Sequence, residues 1–450
     1  MLTAGAMAGA PHPVATIDPV QLQVFLLQCG ILLALALALG RLAARFGLPA
    51  VVGELMAGAL MGPSVLGHLL PGVSAWLLPQ RPDQFHLLDA VGQVAVLLLV
   101  GITGMQVDMR MIRRQGATAA RISAAGLVVP LVLGVAAGFL VPETLLSSPD
   151  GRTVFALFLG VAMCVSAIPV IAKTLMDMDL LHRNIGQLTL AAGMVDDALG
   201  WLMLAVVSAL AVTGIRAGQL ALSMAALGLV VLLALTVGRP MAAVVLRVAA
   251  RSSERGVVAG AVVVMVLLAG AGTQALGFEA VLGAFLCGIV IGSCGALDPR
   301  ALAPLRSVVA TILAPLFFAT AGLRIDLTEL RHPEVLLAAV ALLLVAIAGK
   351  FGGAAIGAVT SRLPPWEALA LAAAMNARGV IQIVVANVGV RLGVLNTASY
   401  TIVILVAVVT SLMAAPILRW AMSRIECTPE EHDRRAAHAA FTVWSTTAGE

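Results

Sequence analysis

Long apolar stretches follow one another along this chain, separated by short segments that carry most of its charges. A run of about 20 apolar residues can cross a bilayer core of about 30 Å as a helix. The pattern therefore predicts thirteen membrane-spanning helices, the seventh of which either stops at Arg239-Pro240 or continues as an amphipathic arm to Arg251. The predicted spans are residues 23–44, 49–67, 88–107, 117–141, 153–175, 185–213, 217–238, 256–275, 279–296, 304–324, 334–360, 366–391 and 397–423.

Composition supports an all-α polytopic membrane protein. Hydrophobic residues make up 61% of the chain and charged residues 11%, against about 25% charged in soluble domains. The basic residues lie in short loops without interleaved aromatics, so we expect no nucleic-acid partner. The five cysteines form no CxxC pair and have no histidine at ligand spacing. We interpret them as packed apolar residues, and we expect neither a cofactor nor an enzyme activity.

The loop charges predict how the chain is oriented. Loops that follow odd-numbered spans, together with the tail, hold 18 of the 27 Lys and Arg residues, and the loops on the opposite side hold six. Positive loops stay in the cytoplasm. Residues 1–22 should then be an extracytoplasmic segment without a cleavable signal peptide, in a multi-pass protein of the cell membrane. Residues 426–450 should form a short cytoplasmic tail, which is either a regulatory element or disordered, and the sequence favours disorder.

Two pairs of segments resemble each other in the same order. The segment Gly47–Gly62 matches Gly277–Gly292 at an offset of 230 residues, and Val94–Asp108 matches Ile312–Asp326 at an offset of 218. The matched spans are seven apart in the chain, and because seven is odd, each pair must cross the membrane in opposite directions. The sequence thus predicts an inverted-topology repeat, an arrangement common in secondary transporters.

The repeat pairs the fifth span with the twelfth, and both carry helix-breaking signals near their centres. The fifth contains Ser166 and Pro169, and the twelfth contains Asn376, Arg378 and Gly379. Proline removes a backbone donor and clashes with the preceding turn. We expect two crossed, discontinuous helices whose free amides and carbonyls line an ion site. Arg378 could neutralise the exposed carbonyl ends, although a purely structural role is equally open.

Asp196 and Asp197 lie side by side in the middle of the sixth span. Placing an ionisable carboxyl in a membrane costs a few kcal/mol, and adjacent like charges resist joint ionisation. Such residues usually bind a cation or a proton, so the pair is interpreted as an ion site. Lys350 lies at similar depth in the eleventh span and needs a carboxylate partner, which either aspartate could provide.

These residues resemble those of the monovalent cation:proton antiporter superfamily, in its sodium/hydrogen exchanger branch, over roughly residues 20–425. Three segments carry the resemblance. They are Val52-Gly53-Glu54-Leu55 through Gly62-Pro63-Ser64, Val195-Asp196-Asp197 with Trp201, and Met375-Asn376-Ala377-Arg378-Gly379.

The resemblance implies a homodimer that exchanges sodium, lithium or potassium for protons. Within a transmembrane domain of residues 23–425, it implies a mobile core (roughly 117–213 and 334–423) and a dimerisation part (roughly 23–107 and 256–324). Asp197 would match the ion-binding aspartate, and Asp196 the aspartate that pairs with a membrane lysine. Gln382 stands where relatives often carry an acidic residue, which leaves ion selectivity and stoichiometry open.

The expected function is therefore secondary active exchange of a monovalent cation for protons by alternating access. A potassium efflux system or a passive cation channel on the same fold is the nearest alternative. An intramembrane aspartyl protease is disfavoured, because its catalytic aspartates must face each other, whereas adjacent residues on one helix point about 100° apart.

Overall fold

The computed structural model describes residues 17–78, 82–107, 109–148, 151–213, 217–252, 256–294 and 299–431. Nearly all regular structure within these ranges is helical, with a β-bridge between Leu146 and Leu395. The first half contains α1 (Pro19–Arg45), α2 (Ala50–Met61), α3 (Leu66–Leu69), α4 (Pro71–Leu77), α5 (Pro82–Met105), α6 (Met109–Leu140), α7 (Arg152–Cys164), α8 (Ile168–Asp177) and α9 (Asn184–Thr213). The second half contains α10 (Ala217–Leu233), α11 (Arg239–Ala249), α12 (Gly256–Ala275), α13 (Ala280–Ser293), α14 (Ala303–Val308), α15 (Ala314–Gly322), α16 (Pro333–Thr360), α17 (Pro365–Met375), α18 (Val380–Arg391) and α19 (Thr397–Met422).

Each predicted span has a helical counterpart. In the described ranges, eleven helical stretches are long and apolar enough to cross a membrane. The pair α17 and α18 adds a span bent by 43°, and the shorter apolar α13 corresponds to the predicted ninth span. Boundaries differ by a few residues; the first helix, for example, begins at Pro19 rather than at residue 23. The chain is thus a multi-pass, all-helical membrane protein.

The seventh span continues past Arg239-Pro240, which agrees with the second of the two alternatives. A five-residue π-helical turn, Ala234–Gly238, joins α10 to α11. Pro240 lies in the first turn of α11. A π-helical turn interrupts the regular hydrogen-bond ladder just before Pro240, so the helix can continue past a residue that has no amide hydrogen. The span therefore bulges at this point instead of ending.

Close contacts between helices show the inverted repeat, because equivalent glycines in the two halves make equivalent contacts. Gly58 of α2 lies so near α15 that an added Cβ would stand 1.9 Å from the Ala319 carbonyl oxygen. Its repeat mate Gly288, on α13, lies equally near α5, with an added Cβ 2.1 Å from the Gly101 carbonyl oxygen. Both members of each contact are related by the offsets of 230 and 218. Each half of the repeat therefore packs its glycine-rich helix on the other half.

Further close contacts are related by the same two offsets. Gly47 and Gly277 both adopt positive φ, at 71° and 82°. The related pairs are Gly53 on Leu39 with Gly283 on Ala269, Gly322 on Leu55 with Gly104 on Phe285, and Gly62 on Leu323 with Gly292 on Met105. The predicted repeat is confirmed by these contacts, although Asp108, at the end of one matched segment, lies outside the described residues.

Gly58→Ala should destabilise the protein, because α2 and α15 must move apart to admit a methyl group. Overpacking costs about 1–3 kcal/mol, and the absence of space here favours the upper end. The thermal midpoint in detergent measures the effect. Gly228→Ala on α10 is the control, since nothing lies within 4 Å of its added Cβ, and alanine there favours the helix by about 1 kcal/mol. Equal midpoints for the two variants would contradict the packing argument.

The described helices pack in two sets. One set contains α1, α2, α5, α12, α13 and α15, and the other contains α6 to α9 and α16 to α19. The helical segment formed by α10 and α11 follows α9 in the chain and packs against α9, α12 and α13. Trp201 of α9 contacts Phe285 of α13 where the two sets meet, with ring centroids 6.0 Å apart. The residue ranges of the two sets are close to those given above for the core and the dimerisation part, and the assignment of those two roles stays a prediction.

Candidate ion-binding site

Two interrupted helices cross at the centre of the second helix set. The segment between α7 and α8 and the segment between α17 and α18 are both extended or irregular. Where they cross, the Ala167 amide donates to the Ala377 carbonyl at 3.2 Å. Pro169 lies in the first turn of α8, so it begins the second half-helix and does not kink a continuous one. The predicted crossed, discontinuous helices are confirmed.

Gly379 allows the two segments to approach closely. A Cβ added to it would stand 2.7 Å from a methyl carbon of Val170 and 3.3 Å from the Ala167 Cβ. Its φ of −177° is ordinary extended backbone, so space and not conformation requires glycine here. A side chain at this position would push the two breaks apart.

Arg378 is fully buried, and it binds a carbonyl group at the C-terminal end of α7, the first half of the other interrupted helix. Its Nη1 donates to the Ala162 carbonyl in the last turn of α7 at 2.8 Å, and its Nη2 donates to the Ala346 carbonyl of α16 at 3.4 Å. Ser411 of α19 supports the backbone of Arg378, since its hydroxyl accepts from the amide at 3.0 Å and donates to the carbonyl at 2.6 Å. The positive charge of Arg378 thus lies at the C-terminal end of α7, where it suits the free carbonyl groups of a helix end.

Asp196 and Lys350 form a buried ion pair. Lys350 Nζ lies 3.1 Å from Asp196 Oδ2 and also donates to the Ser166 hydroxyl at 2.7 Å and to the Gly126 carbonyl at 3.1 Å. The Ser123 hydroxyl donates to Asp196 Oδ1 at 2.6 Å. All three ammonium hydrogens therefore have acceptors, and both carboxylate oxygens have donors. Of the two partners left open for Lys350, the structure selects Asp196.

Small residues let α16 approach α6 closely, which brings Lys350 within reach of Asp196. On α16, an added Cβ at Gly349 would stand 2.9 Å from Pro130, and one at Gly353 would stand 2.5 Å from the Ala125 carbonyl oxygen. The α16 backbone therefore lies directly against α6. This approach places the Gly126 carbonyl of α6 next to the lysine ammonium.

Asp197 is fully buried and only half satisfied. Its Oδ1 accepts from the Ile168 amide, the first of α8, at 3.2 Å. Its Oδ2 has no hydrogen-bond partner among the described residues. Buried polar atoms are normally paired, so an unpaired carboxylate oxygen at the positive end of a half-helix is an exception. The arrangement offers one carboxylate oxygen to a proton or a cation.

Ser166 connects the two breaks to the ion pair. Its hydroxyl accepts from Lys350 and lies 2.9 Å from Asp196 Oδ2 and 3.0 Å from the Met375 carbonyl at the end of α17. A hydroxyl has one hydrogen, so Ser166 can donate to only one of these oxygens at a time. A change in the charge of Asp196 can therefore be passed to the α17 end through this hydroxyl.

Asn376 and Gln382 are placed differently from the aspartates. Asn376 Nδ2 lies 3.5 Å from the Thr410 carbonyl, and Gln382 Nε2 donates to the Val403 carbonyl at 2.8 Å. Both side chains are thus held by α19, and each keeps a buried amide oxygen without a partner among the described residues. Among the described residues, no hydrogen bond joins Gln382 to either aspartate.

Sequence reasoning missed two hydroxyl residues of the site, Ser123 and Ser411. Each lies in an apolar span, where serine is ordinary at helix contacts. Ser123 is the one described donor to Asp196 Oδ1. Predicted depth gives no signal for Ser123, because it lies about 9 Å into its predicted span and Asp196 lies about 17 Å into its own.

A cavity of about 240 Å³ lies between the two helix sets, beside α18. Asp89 pairs with Arg324 at 2.9 Å on its wall, and Arg324 also donates to Asn387 at 3.4 Å. Glu279, before α13, pairs with Arg391 at the end of α18. The Glu279–Arg391 pair and the Arg324–Asn387 contact therefore join the two sets at this end of the bundle.

Comparison with known proteins agrees with this geometry. The profile of the transmembrane sodium/hydrogen exchanger family matches residues 31–424. Antiporters form the class that the fold and the buried aspartates indicate. This chain belongs to the sodium/hydrogen exchanger family.

Individual relatives are similar over most of this chain. Cation/H(+) antiporter 20 of Arabidopsis thaliana is 30% identical over 411 residues, which cover 87% of this chain and 48% of that protein. The Na(+)/H(+) antiporter NhaS4 of Synechocystis is 30% identical over 395 residues, covering 86% and 94%. The chain thus spans about half the length of the plant relative. The sodium proton antiporter MjNhaP1 of Methanocaldococcus jannaschii, solved at pH 8, shares the fold, with a TM-score of 0.64 at 17% identity, covering 89% of this chain and 97% of that one.

Proposed function

We propose that this protein is a secondary active transporter that exchanges a monovalent cation, Na⁺, Li⁺ or K⁺, for protons by alternating access. The observation that carries the proposal is the unpaired Oδ2 of fully buried Asp197, which lies next to a separate, satisfied Asp196–Lys350 pair. In such a site, Asp197 offers one oxygen to an ion, and the second carboxylate, Asp196, is paired with Lys350. The names of the relatives, sodium, cation and proton antiporters, support the same reaction.

In the proposed mechanism, a cation and protons compete for the same carboxylates. Ionised Asp197 accepts a dehydrated cation, helped by Asp196 and by backbone carbonyls at the helix breaks. Drawing Asp196 toward the cation weakens its pair with Lys350, and a buried lysine without a carboxylate tends to lose its proton. On the opposite side of the membrane, protonation of the aspartates displaces the cation.

Coupling follows from the number of charges in the site. Asp196 is compensated by Lys350, whereas an ionised Asp197 needs a cation or a proton to neutralise its charge. Uncompensated buried charge is costly, so the site crosses readily when loaded with a cation or with protons. When it is empty and Lys350 has lost its proton, it should cross poorly.

Alternating access would come from movement of the second helix set, the proposed core, against the first. Polar contacts join the two sets at one end of the bundle. Arg391 pairs with Glu279, and Tyr400 of α19 donates to the Ala321 carbonyl of α15 at 2.8 Å. The loop charges assign this end to the extracytoplasmic side, so these contacts would have to break when the site opens outward.

We further propose that the protein works as a homodimer, assembled through the first helix set, with its N-terminus outside and its C-terminus in the cytoplasm. The exposed apolar faces of α1 and α12 support this arrangement, because both helices bury only one narrow face within the protomer. Each helix would lie either against the partner or against lipid.

The test is cation-driven proton movement in proteoliposomes. Sodium, lithium and potassium are added in turn to acid-loaded vesicles that contain a pH-sensitive dye. Alkalinisation of the lumen by one of these ions would establish exchange and name the substrate. A response to potassium alone would favour a potassium efflux system. Cation flux without obligatory proton movement would favour a passive channel, and no flux of any ion by folded protein would refute the proposal.

A further inference from the structure

Arg183 and Glu431 meet at the N-terminal end of α9, whereas the two aspartates lie near the middle of that helix. Arg183 directly precedes α9, and its Nε lies 3.1 Å from Glu431 Oε2. Both side chains are largely buried, at 12% and 4% exposure. Glu431 belongs to the segment expected from sequence to be disordered, and for residues 426–431 that expectation is wrong.

The Glu431 carboxylate accepts from the amide that begins α9 and from an amide of its own segment. Glu431 Oε1 accepts from the amide of Asn184, the first residue of α9, at 2.6 Å. Its Oε2 accepts from the amide of Thr428 at 2.9 Å. The sequence Thr428-Pro429-Glu430-Glu431 has the spacing of a capping box, in which the fourth residue reaches back to the first amide. The start of the tail is thus tied to the start of α9.

Arg183 extends this connection to the end of α19. Its Nη2 donates to the carbonyls of Ile425 and Glu426, at 3.1 and 3.0 Å. These carbonyls follow α19, and guanidinium donors suit such unsatisfied groups. Arg183 and Glu431 together therefore join the N-terminal end of α9 to the segment that leaves α19. We call this group of contacts the tail clamp.

The tail clamp stays charged at physiological pH. Burial alone would raise the pKa of Glu431, but hydrogen bonds from the Asn184 and Thr428 amides and the charge of Arg183 outweigh it and hold the pKa below its usual value. A lowered folded-state pKa means that the contact loses strength only when the pH falls through that lowered value. The contact of ionised Glu431 with Arg183 therefore persists at neutral pH and does not respond to pH changes there.

We propose that Glu431 and Arg183 are positioning residues for ion binding, which set the depth and rotation of α9 and thereby hold Asp197 against α8. This inference rests on the proposed function. Helix α9 runs without a break from Asn184 to Thr213, and twelve residues separate its start from Asp196, about 18 Å along the axis. A continuous helix transmits a shift at its end to the aspartates.

The geometry at Asp197 is sensitive to such a shift. The Ile168 amide donates to Asp197 Oδ1 at 3.2 Å, near the outer limit of a good hydrogen bond. The first turn of α9 contains no acidic residue of its own, so Glu431 supplies the negative charge that favours a helix N-terminus. Without it, both the anchoring and the dipole compensation of α9 are weakened.

The test compares Glu431→Gln with Glu431→Asp, and uses Glu426→Gln as a matched control, because the Glu426 side chain is exposed and only its backbone carbonyl contacts Arg183. Hydrogen–deuterium exchange of the first turn of α9 reports the tail clamp without any transport. Proteoliposome flux reports the apparent KM for the cation and the maximal rate.

For Glu431→Gln we expect faster amide exchange in the first turn of α9 and an apparent KM raised about three- to tenfold, with a maximal rate changed less than about twofold. Glu431→Asp should recover part of both effects, and Glu426→Gln should match wild type. Unchanged amide exchange, or faster exchange with an unchanged KM, would overturn the inference. Wild-type protein without cation exchange would refute the proposed function instead, and amide exchange would still test the tail clamp.

Discussion

Asp197→Asn is expected to abolish cation–proton exchange while leaving the fold intact. Asparagine is close in size and keeps an oxygen that can accept from the Ile168 amide at 3.2 Å. It removes the negative charge and the proton site, and nothing else described replaces the unpaired Oδ2 of Asp197. Because both transported ions are proposed to use this carboxylate, exchange should fall to the level of empty vesicles for sodium, lithium and potassium alike.

Cation-dependent thermal stability separates loss of binding from loss of folding. A ligand at 100 times its Kd stabilises a protein by about 2.7 kcal/mol, so the transported cation should raise the thermal midpoint of wild type but not that of Asp197→Asn. Asp18→Asn is the control for the chemical change, since Asp18 caps α1 at an exposed position and asparagine caps equally well. Wild-type exchange by Asp197→Asn would contradict the mechanism.

The spans and the repeat could be predicted because their causes are local in sequence. Apolar length determines which segments cross a membrane, and the glycines of the repeat recur at fixed offsets because backbones approach closely at each of them. Gly58 and Gly288 illustrate this, since a side chain at either would collide with the facing helix. The helix breaks were also visible, through Pro169 and through the glycine that follows Arg378.

The partner of each charged group could not be predicted from the hydrophobic pattern, although the family resemblance implied that Asp196 pairs with a membrane lysine. Asp196 and Asp197 are chemically identical neighbours in the sequence, and only the packing of α16 on α6 decides that Lys350 reaches Asp196. Ser123 was missed for the same reason, because its role depends on which face of α6 meets α9. Hydrophobic pattern gives the depth of a residue in the membrane, but it does not give its neighbours.

In the tail, the sequence predicted less ordered structure than the described residues show. Its polar composition between residues 426 and 450 favoured disorder, yet Glu431 is buried against Arg183. The capping-box spacing of Thr428 and Glu431 was a signal for the beginning of a helix. The second contact of Glu431, with the α9 amide, bridges residues 247 positions apart and has no counterpart in local sequence.

The second large effect is expected at the buried ion pair, where Lys350→Met and Asp196→Asn should each destabilise the protein strongly. Lys350→Met leaves Asp196 without its cation, and Asp196→Asn leaves an ammonium with a neutral neighbour. Breaking one side of a buried pair costs about 3–5 kcal/mol, because the remaining charge loses its compensation. Each single variant should therefore show a clearly lower thermal midpoint.

The double variant should be more stable than the sum of the two losses indicates, since it leaves neither charge behind. Lys173→Met is the matched control, because Lys173 is the one other lysine in the chain and its side chain is exposed. Additive losses in the double variant would mean that Asp196 and Lys350 do not depend on each other. Such independence would remove the basis for the proposed release of the Lys350 proton, since that step requires the cation to act on Lys350 through Asp196.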